Sequence, residues 1–137
     1  MSTNHGRCDC GKIEYAFQDE PINTVFCYCK TCQLHTNSDK WFGVWVPFDK
    51  FKIVKGTPSS FTAVGDSGCE THRYFCPDCS TVLGLKCDGF DLYSLSASTI
   101  DGGDKLLPKM LIYTSLAPSW ATFPEGIPKF DILPPGD

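Results

Sequence analysis

The chain has 137 residues, 42% of them hydrophobic and 20% charged, a composition that supports one packed domain and excludes wholesale disorder. Twelve Lys plus Arg against sixteen Asp plus Glu leave a net charge of −4, without the clustered basic stripe of a protein that lives on nucleic acid or anionic lipid. No apolar run approaches the ~18 residues that span a bilayer, and the start through Arg7 has no apolar h-region, so neither a membrane helix nor a secretory signal is expected.

In chain order, His5 falls in a terminus expected to be mobile. Lys12 to Phe17 alternates, with Ile13, Tyr15 and Phe17 on one side, and predicts a half-buried strand closed by Asp19-Glu20-Pro21. A short helical turn is predicted after Cys29, through Leu34. Trp41 to Val46 is a bulky β-forming run stopped by Pro47, and Phe51 to Lys55 is another, stopped by Gly56-Thr57-Pro58. Further strands are predicted at Ser60 to Val64, Arg73 to Phe75, Thr81 to Leu85, Phe90 to Leu95 and Leu111 to Thr114. Asp101-Gly102-Gly103-Asp104 reads as a turn. From Pro118 the chain carries five prolines and predicts an extended arm, 118–137, packed by Trp120, Phe123 and Phe130. The whole reads as a single all-β domain over 1–137 with little helix, its core at about 5–130.

Nine cysteines are the outlier. An odd count and no signal segment argue against a secreted disulfide scaffold and for thiolate metal ligands in a reducing compartment. Cys76-Pro77-Asp78-Cys79 is one conventional half of a four-sulfur site, because a Cys-x-x-Cys turn lets two sulfurs converge on one ion. Cys8-Asp9-Cys10, followed by the permissive Gly11, is the natural other half. Zinc suits such a closed site, and iron is the chemical alternative. Cys27, Cys29 and Cys32 then form a set one ligand short, the arrangement of a zinc with an open fourth position.

Alternatives stand beside that division. The trio could be a second structural site closed by His35, by a lone cysteine such as Cys69 or by a partner residue, or Cys29/Cys32 or Cys76/Cys79 a redox pair, although no βαβ setting is seen. Cys87 reads as a small core residue. His72 reads as a hydrogen-bonded surface histidine before it reads as a ligand. Trp41, Phe42 and Trp45 read mostly as core, with one of them free to wall the open metal position.

Cys8-x-Cys10-Gly11, Cys27-x-Cys29-x-x-Cys32, Phe75-Cys76-Pro77-x-Cys79 and Pro118-x-Trp120, in that order, resemble the glutathione-dependent formaldehyde-activating enzyme family, which includes the domain of centromere protein V. The resemblance spans Cys8 to about Phe130. It implies a zinc-binding all-β fold of coiled short sheets, a β-tent. It implies two zinc ions per chain: a structural one on Cys8, Cys10, Cys76 and Cys79, and an open one on Cys27, Cys29 and Cys32. It implies a carbon–sulfur lyase of the S-hydroxymethylglutathione synthase type in the cytoplasm, with glutathione as the small-molecule partner. Three positions depart from the family pattern. Tyr28 stands where a histidine is common, Ser80 where a glycine usually follows the second knuckle, and Leu111 where a histidine often follows the late proline.

An open trithiolate zinc carries a net negative charge. It acidifies water less than neutral-ligand sites do and suits a soft sulfur ligand. The expected chemistry is therefore a bound thiol that adds to, or leaves, a small carbonyl carbon. Tyr28 is expected as a hydrogen-bond donor beside the ion. A non-enzymatic zinc or thiol-binding module is the alternative, and the exposed aromatic arm offers a surface for a homodimer.

Overall fold

A computed structural model describes residues 2–65 and 68–135; the last two positions of the expected arm lie outside that range. Ten strands form two sheets, and one α-helix interrupts them. The smaller sheet has the order β1 (Thr3–Arg7), β2 (Glu14–Gln18), β5 (Phe51–Lys55), all antiparallel. The larger sheet runs β10 (Met110–Ile112), β3 (Asn23–Cys27), β4 (Trp41–Pro47), β9 (Leu92–Ser96), β8 (Val82–Cys87), β7 (Glu70–Phe75), β6 (Ser59–Val64). Among the strands of the described residues, only the β10–β3 pair is parallel. The all-β expectation holds, and α1 (Lys30–Thr36) continues two residues past the expected turn.

Side chains alternate across a strand, and that gives the larger sheet two different faces. Val44, Val46 and Leu95 join Tyr15 and Phe17 of the small sheet, and Ile13 just before it, in one buried cluster with Cys8 and Cys76. Val25, Trp41 and Ile112 face the other way, in a second cluster with Cys29 and Cys32. Between Tyr74 and Phe75 the β7–β8 register shifts. This bulge lets Leu83 enter the first cluster while Leu85 packs against the second.

His5 is not in a mobile terminus. It pairs with Ala16 in β1–β2, and its carbonyl accepts from Asp101 N–H at 2.8 Å. Gly6 is required there, since a Cβ would lie 2.2 Å from the Tyr15 ring. The proline-rich arm is extended, but it is tied down by backbone bonds more than by aromatics. Leu111 N–H donates to Pro128 O at 2.9 Å, Phe130 N–H to Leu111 O at 2.9 Å, and Tyr113 N–H to Ile132 O at 2.8 Å. Phe130 packs against the second cluster, and Phe123 meets the Tyr28 ring edge-on at 5.0 Å. Trp120 does not pack: it is 67% exposed, because the turn at Pro118–Ala121 carries it away from the sheet.

Candidate metal centre

Two hairpin-like turns bring the outer cysteines together. Cys8 and Cys10 lie between β1 and β2, and Cys76 and Cys79 lie between β7 and β8. Their four sulfurs all lie within 4.8 Å of one another. Cys8 to Cys10 is 3.6 Å and Cys10 to Cys76 is 3.7 Å. Four sulfurs at ~2.3 Å from a tetrahedral ion would be about 3.8 Å apart, so the donor set fits zinc. Backbone N–H groups already point at the sulfurs: Ile13 N to Cys8 Sγ at 3.3 Å and Asp78 N to Cys76 Sγ at 3.4 Å. The Thr81 hydroxyl lies 3.2 Å from Cys79 Sγ and, with backbone donors, holds that thiol down to about 6. The Cys76 turn closes through Ser80, whose N–H donates to Cys76 O at 2.9 Å with φ at 67°. Serine therefore takes the left-handed turn that the family pattern leaves to glycine.

The inner trio sits where β3 runs into α1. Cys29 is the N-cap residue of the helix, and its sulfur accepts from Cys32 N–H at 3.3 Å. The helix is pinned by Gln33, whose amide donates to Tyr28 O and Leu116 O, both at 2.9 Å. The sulfurs of Cys27, Cys29 and Cys32 converge within 4.8 Å, with Cys29 and Cys32 at 3.0 Å. Hydrogen bonds from Cys27 and Cys32 hold Cys29 down to about 3. In return Cys27 is pushed up to about 12 by its bond to Cys29, and Cys32 is pushed up further by Cys27 and Cys29. The three thiols thus compete for ionisation, and a cation among them favours the thiolate form that ligation needs.

Among the described residues, no fourth His, Cys, Asp or Glu joins the trio. His35 and Cys69 both lie outside it. The trio instead opens onto a chamber of about 600 Å³ on the outer face of the larger sheet. Strand register explains its walls. Ile112, Cys27 and Trp41 stand across from one another on β10, β3 and β4, then Trp45 and Ser94 on β4 and β9, then Ser94, Leu85 and Arg73 on β9, β8 and β7. Trp41 is buried in the second cluster as expected and Trp45 packs against it, and both also wall the chamber, as do Leu133 and Pro134 of the arm. Cys87, expected in the core, is half-buried and also lines the chamber.

Trp41 Nε1 donates to Ser94 Oγ at 3.0 Å across the floor. Gly43, between the two tryptophans, makes room for this: a Cβ there would lie 2.0 Å from Ser94 Oγ and 2.8 Å from Trp41 Nε1. Gly43→Ala is therefore expected to break the bond and tilt the indole into the chamber. The cost is about 1–3 kcal/mol of stability, seen as a lower denaturation midpoint together with a red-shifted tryptophan emission.

Arg73 was legible only as the start of a strand. It is 5% exposed, walls the chamber, and leaves its Nε–H without a hydrogen-bond partner. Burial pushes its pKa down, and the negative charge at Cys32 and Cys29 pushes it back up. Buried arginines are rare unless matched by an anion, and the trio is that anion. An arginine inside an aromatic strand run, Arg73-Tyr74-Phe75, was the available signal.

Tyr28 is not among the chamber's walls. Its ring is fully buried between Phe26 at 6.5 Å and Phe123 at 5.0 Å, and its hydroxyl has no partner. Leu111, at the third departure, is fully buried in β10. His72 is hydrogen-bonded as expected, by Thr62 Oγ1 at 2.8 Å and Asp88 Oδ1 at 2.9 Å.

No disulfide joins any of the nine cysteines. Fold and site thus define a cysteine-rich all-β protein with a four-sulfur and a three-sulfur cluster, each able to hold a metal ion. Residues 3–116 match the family model described as glutathione-dependent formaldehyde-activating enzyme. The chain belongs to that family. No curated protein matches it. Among solved structures, a crystal structure of a Rhodobacter sphaeroides protein shares the fold at TM-score 0.57 and 16% identity, covering 72% of this chain and 88% of that one. No described helix is long and apolar enough to cross a membrane.

Proposed function

We propose that the protein is a zinc-dependent enzyme of the carbon–sulfur lyase type, related to S-hydroxymethylglutathione synthase, acting on the adduct of a small aldehyde and a glutathione-like thiol in the cytoplasm. One observation carries it: three converging sulfurs open onto a chamber, and no fourth ligand of the described residues closes them. A purely structural second site would need His35, Cys69 or a partner residue there, and neither His35 nor Cys69 is among the grouped ligands. The family description supplies formaldehyde and glutathione.

Cys27, Cys29 and Cys32 would hold the working zinc, and Cys8, Cys10, Cys76 and Cys79 the structural one. Zinc at the trio supplies positive charge that favours the thiolate form of a thiol beside it. The chain does the rest. The Cys29 cap on α1 fixes the sulfurs, Trp41, Trp45 and Ile112 keep water from the reacting end, and Arg73 offsets the negative charge that three thiolates bring. In the synthetic direction the thiol loses its proton, its sulfur bonds to the aldehyde carbon, and the carbonyl oxygen takes a proton to become the hydroxyl. The reverse breaks the same carbon–sulfur bond.

The test is exchange spectroscopy by NMR on zinc-loaded protein with formaldehyde and glutathione. Metal-dependent acceleration of exchange between free and S-hydroxymethyl forms is expected, and it is lost in Cys29→Ser. No acceleration above buffer with any thiol would retire the enzyme.

A further inference from the structure

The chamber has room for a small ligand, at about 600 Å³ within the usual range for such sites, so size does not decide its occupant. Chemistry does. Val25, Trp41, Trp45, Leu85, Leu92 and Ile112 make its body apolar. Arg73 is the only charged side chain among its described walls, and its unpartnered Nε–H is buried there. That single positive charge is taken up at the sulfur end. A divalent ion on three thiolates would be left with one net negative charge and a thiolate ligand would bring a second, so Arg73, facing them, has none to spare for a carboxylate.

A peptidic thiol such as glutathione carries two carboxylates and an ammonium. Any of these drawn inside the chamber meets no spare opposite charge, and an unpaired buried charge is strongly penalised. An apolar body meets indole and aliphatic walls instead, and burial of its surface favours binding.

We propose that the chamber selects a thiol with an uncharged aryl or branched alkyl body over glutathione, with the Arg73 Nε–H donating to the anionic end of the ligand beside Cys29 and Cys32. This rests on the carbon–sulfur reading above and narrows its thiol. Arg73 is the contact for the sulfur end and not a carboxylate anchor. A ligand that binds as thiolate releases its proton to the buffer.

Calorimetric titration of the zinc-loaded protein tests this with 2-phenylethanethiol, glutathione, propane-1-thiol and 3-mercaptopropionate, each corrected for its own thiol ionisation. Phenylethanethiol is expected to bind at least about tenfold tighter than glutathione, and propanethiol at least as tightly as mercaptopropionate. Glutathione binding as tightly as the aryl thiol, or a gain from the added carboxylate, overturns the selectivity and leaves the carbon–sulfur chemistry standing. No thiol binding at all, with no change in the absorption of the cobalt-substituted protein, overturns both.

Arg73→Met is expected to weaken all four thiols alike, by about tenfold, and Arg73→Lys to recover part of the loss. Selective loss of mercaptopropionate alone would make Arg73 a carboxylate anchor and overturn its assignment. If Arg73→Met fails to give a cooperative melt, Arg73→Lys and the wild-type series decide.

Discussion

Cys76→Ser yields a chain without a cooperative thermal transition. Cys76 is fully buried, and its turn joins the β7–β8 hairpin to the Cys8–Cys10 turn of the small sheet. Removing one of four sulfurs opens a closed site whose metal would contribute folding free energy directly, on the order of 10–16 kcal/mol in zinc-finger peptides. Whole domains are stable by only about 5–15 kcal/mol, so even partial loss exceeds the margin. Circular dichroism against temperature, with an elemental zinc count, checks this, and a strong chelator should reproduce the same loss in the unaltered protein. A variant melting within a few degrees of wild type would show that the four sulfurs do not anchor the fold.

Cys29→Ser behaves in the opposite way. It is expected to fold, to melt within a few degrees of wild type, and to hold about one zinc fewer per chain. Serine is a good helix N-cap, so the bond from Cys32 N–H that Cys29 Sγ now accepts has a replacement acceptor. The trio also bridges elements already joined by hydrogen bonds, Tyr28 N–H to Ile112 O at 3.0 Å and the two Gln33 contacts. Its ion would therefore add little to the fold. Equal damage from Cys29→Ser and Cys76→Ser would erase the division into an anchoring and a working site.

Much of this was written in the cysteines and the bulky runs. Phe51–Lys55 falls on β5 residue for residue, and Trp41–Pro47 is the expected strand with one residue more. The cysteine clusters were readable because spacing within each turn is local. Strand β1 was not, since Thr3 to Arg7 has no apolar alternation. It is held by pairing with β2, by the fit of Gly6 over Tyr15 and by the Arg7–Asp101 ion pair at 2.7 Å, the last made far along the chain. Strand β3 was overlooked although Val25 and Phe26 lie in it, and its pairing with β10 joins segments more than eighty residues apart. Arg73 escaped for the same reason. A buried cation has meaning only beside its anion, and that anion is assembled on the far end of the sheet.

The parallel pairing of β10 with β3, and the segment at 128–132 hydrogen-bonded along the other edge of β10, impose an order on biosynthesis. Leu133 and Pro134 leave the ribosome after every other part of the chamber. A nascent chain can gather its sulfurs before that wall exists, and the chamber has its full lining only once translation has passed these residues.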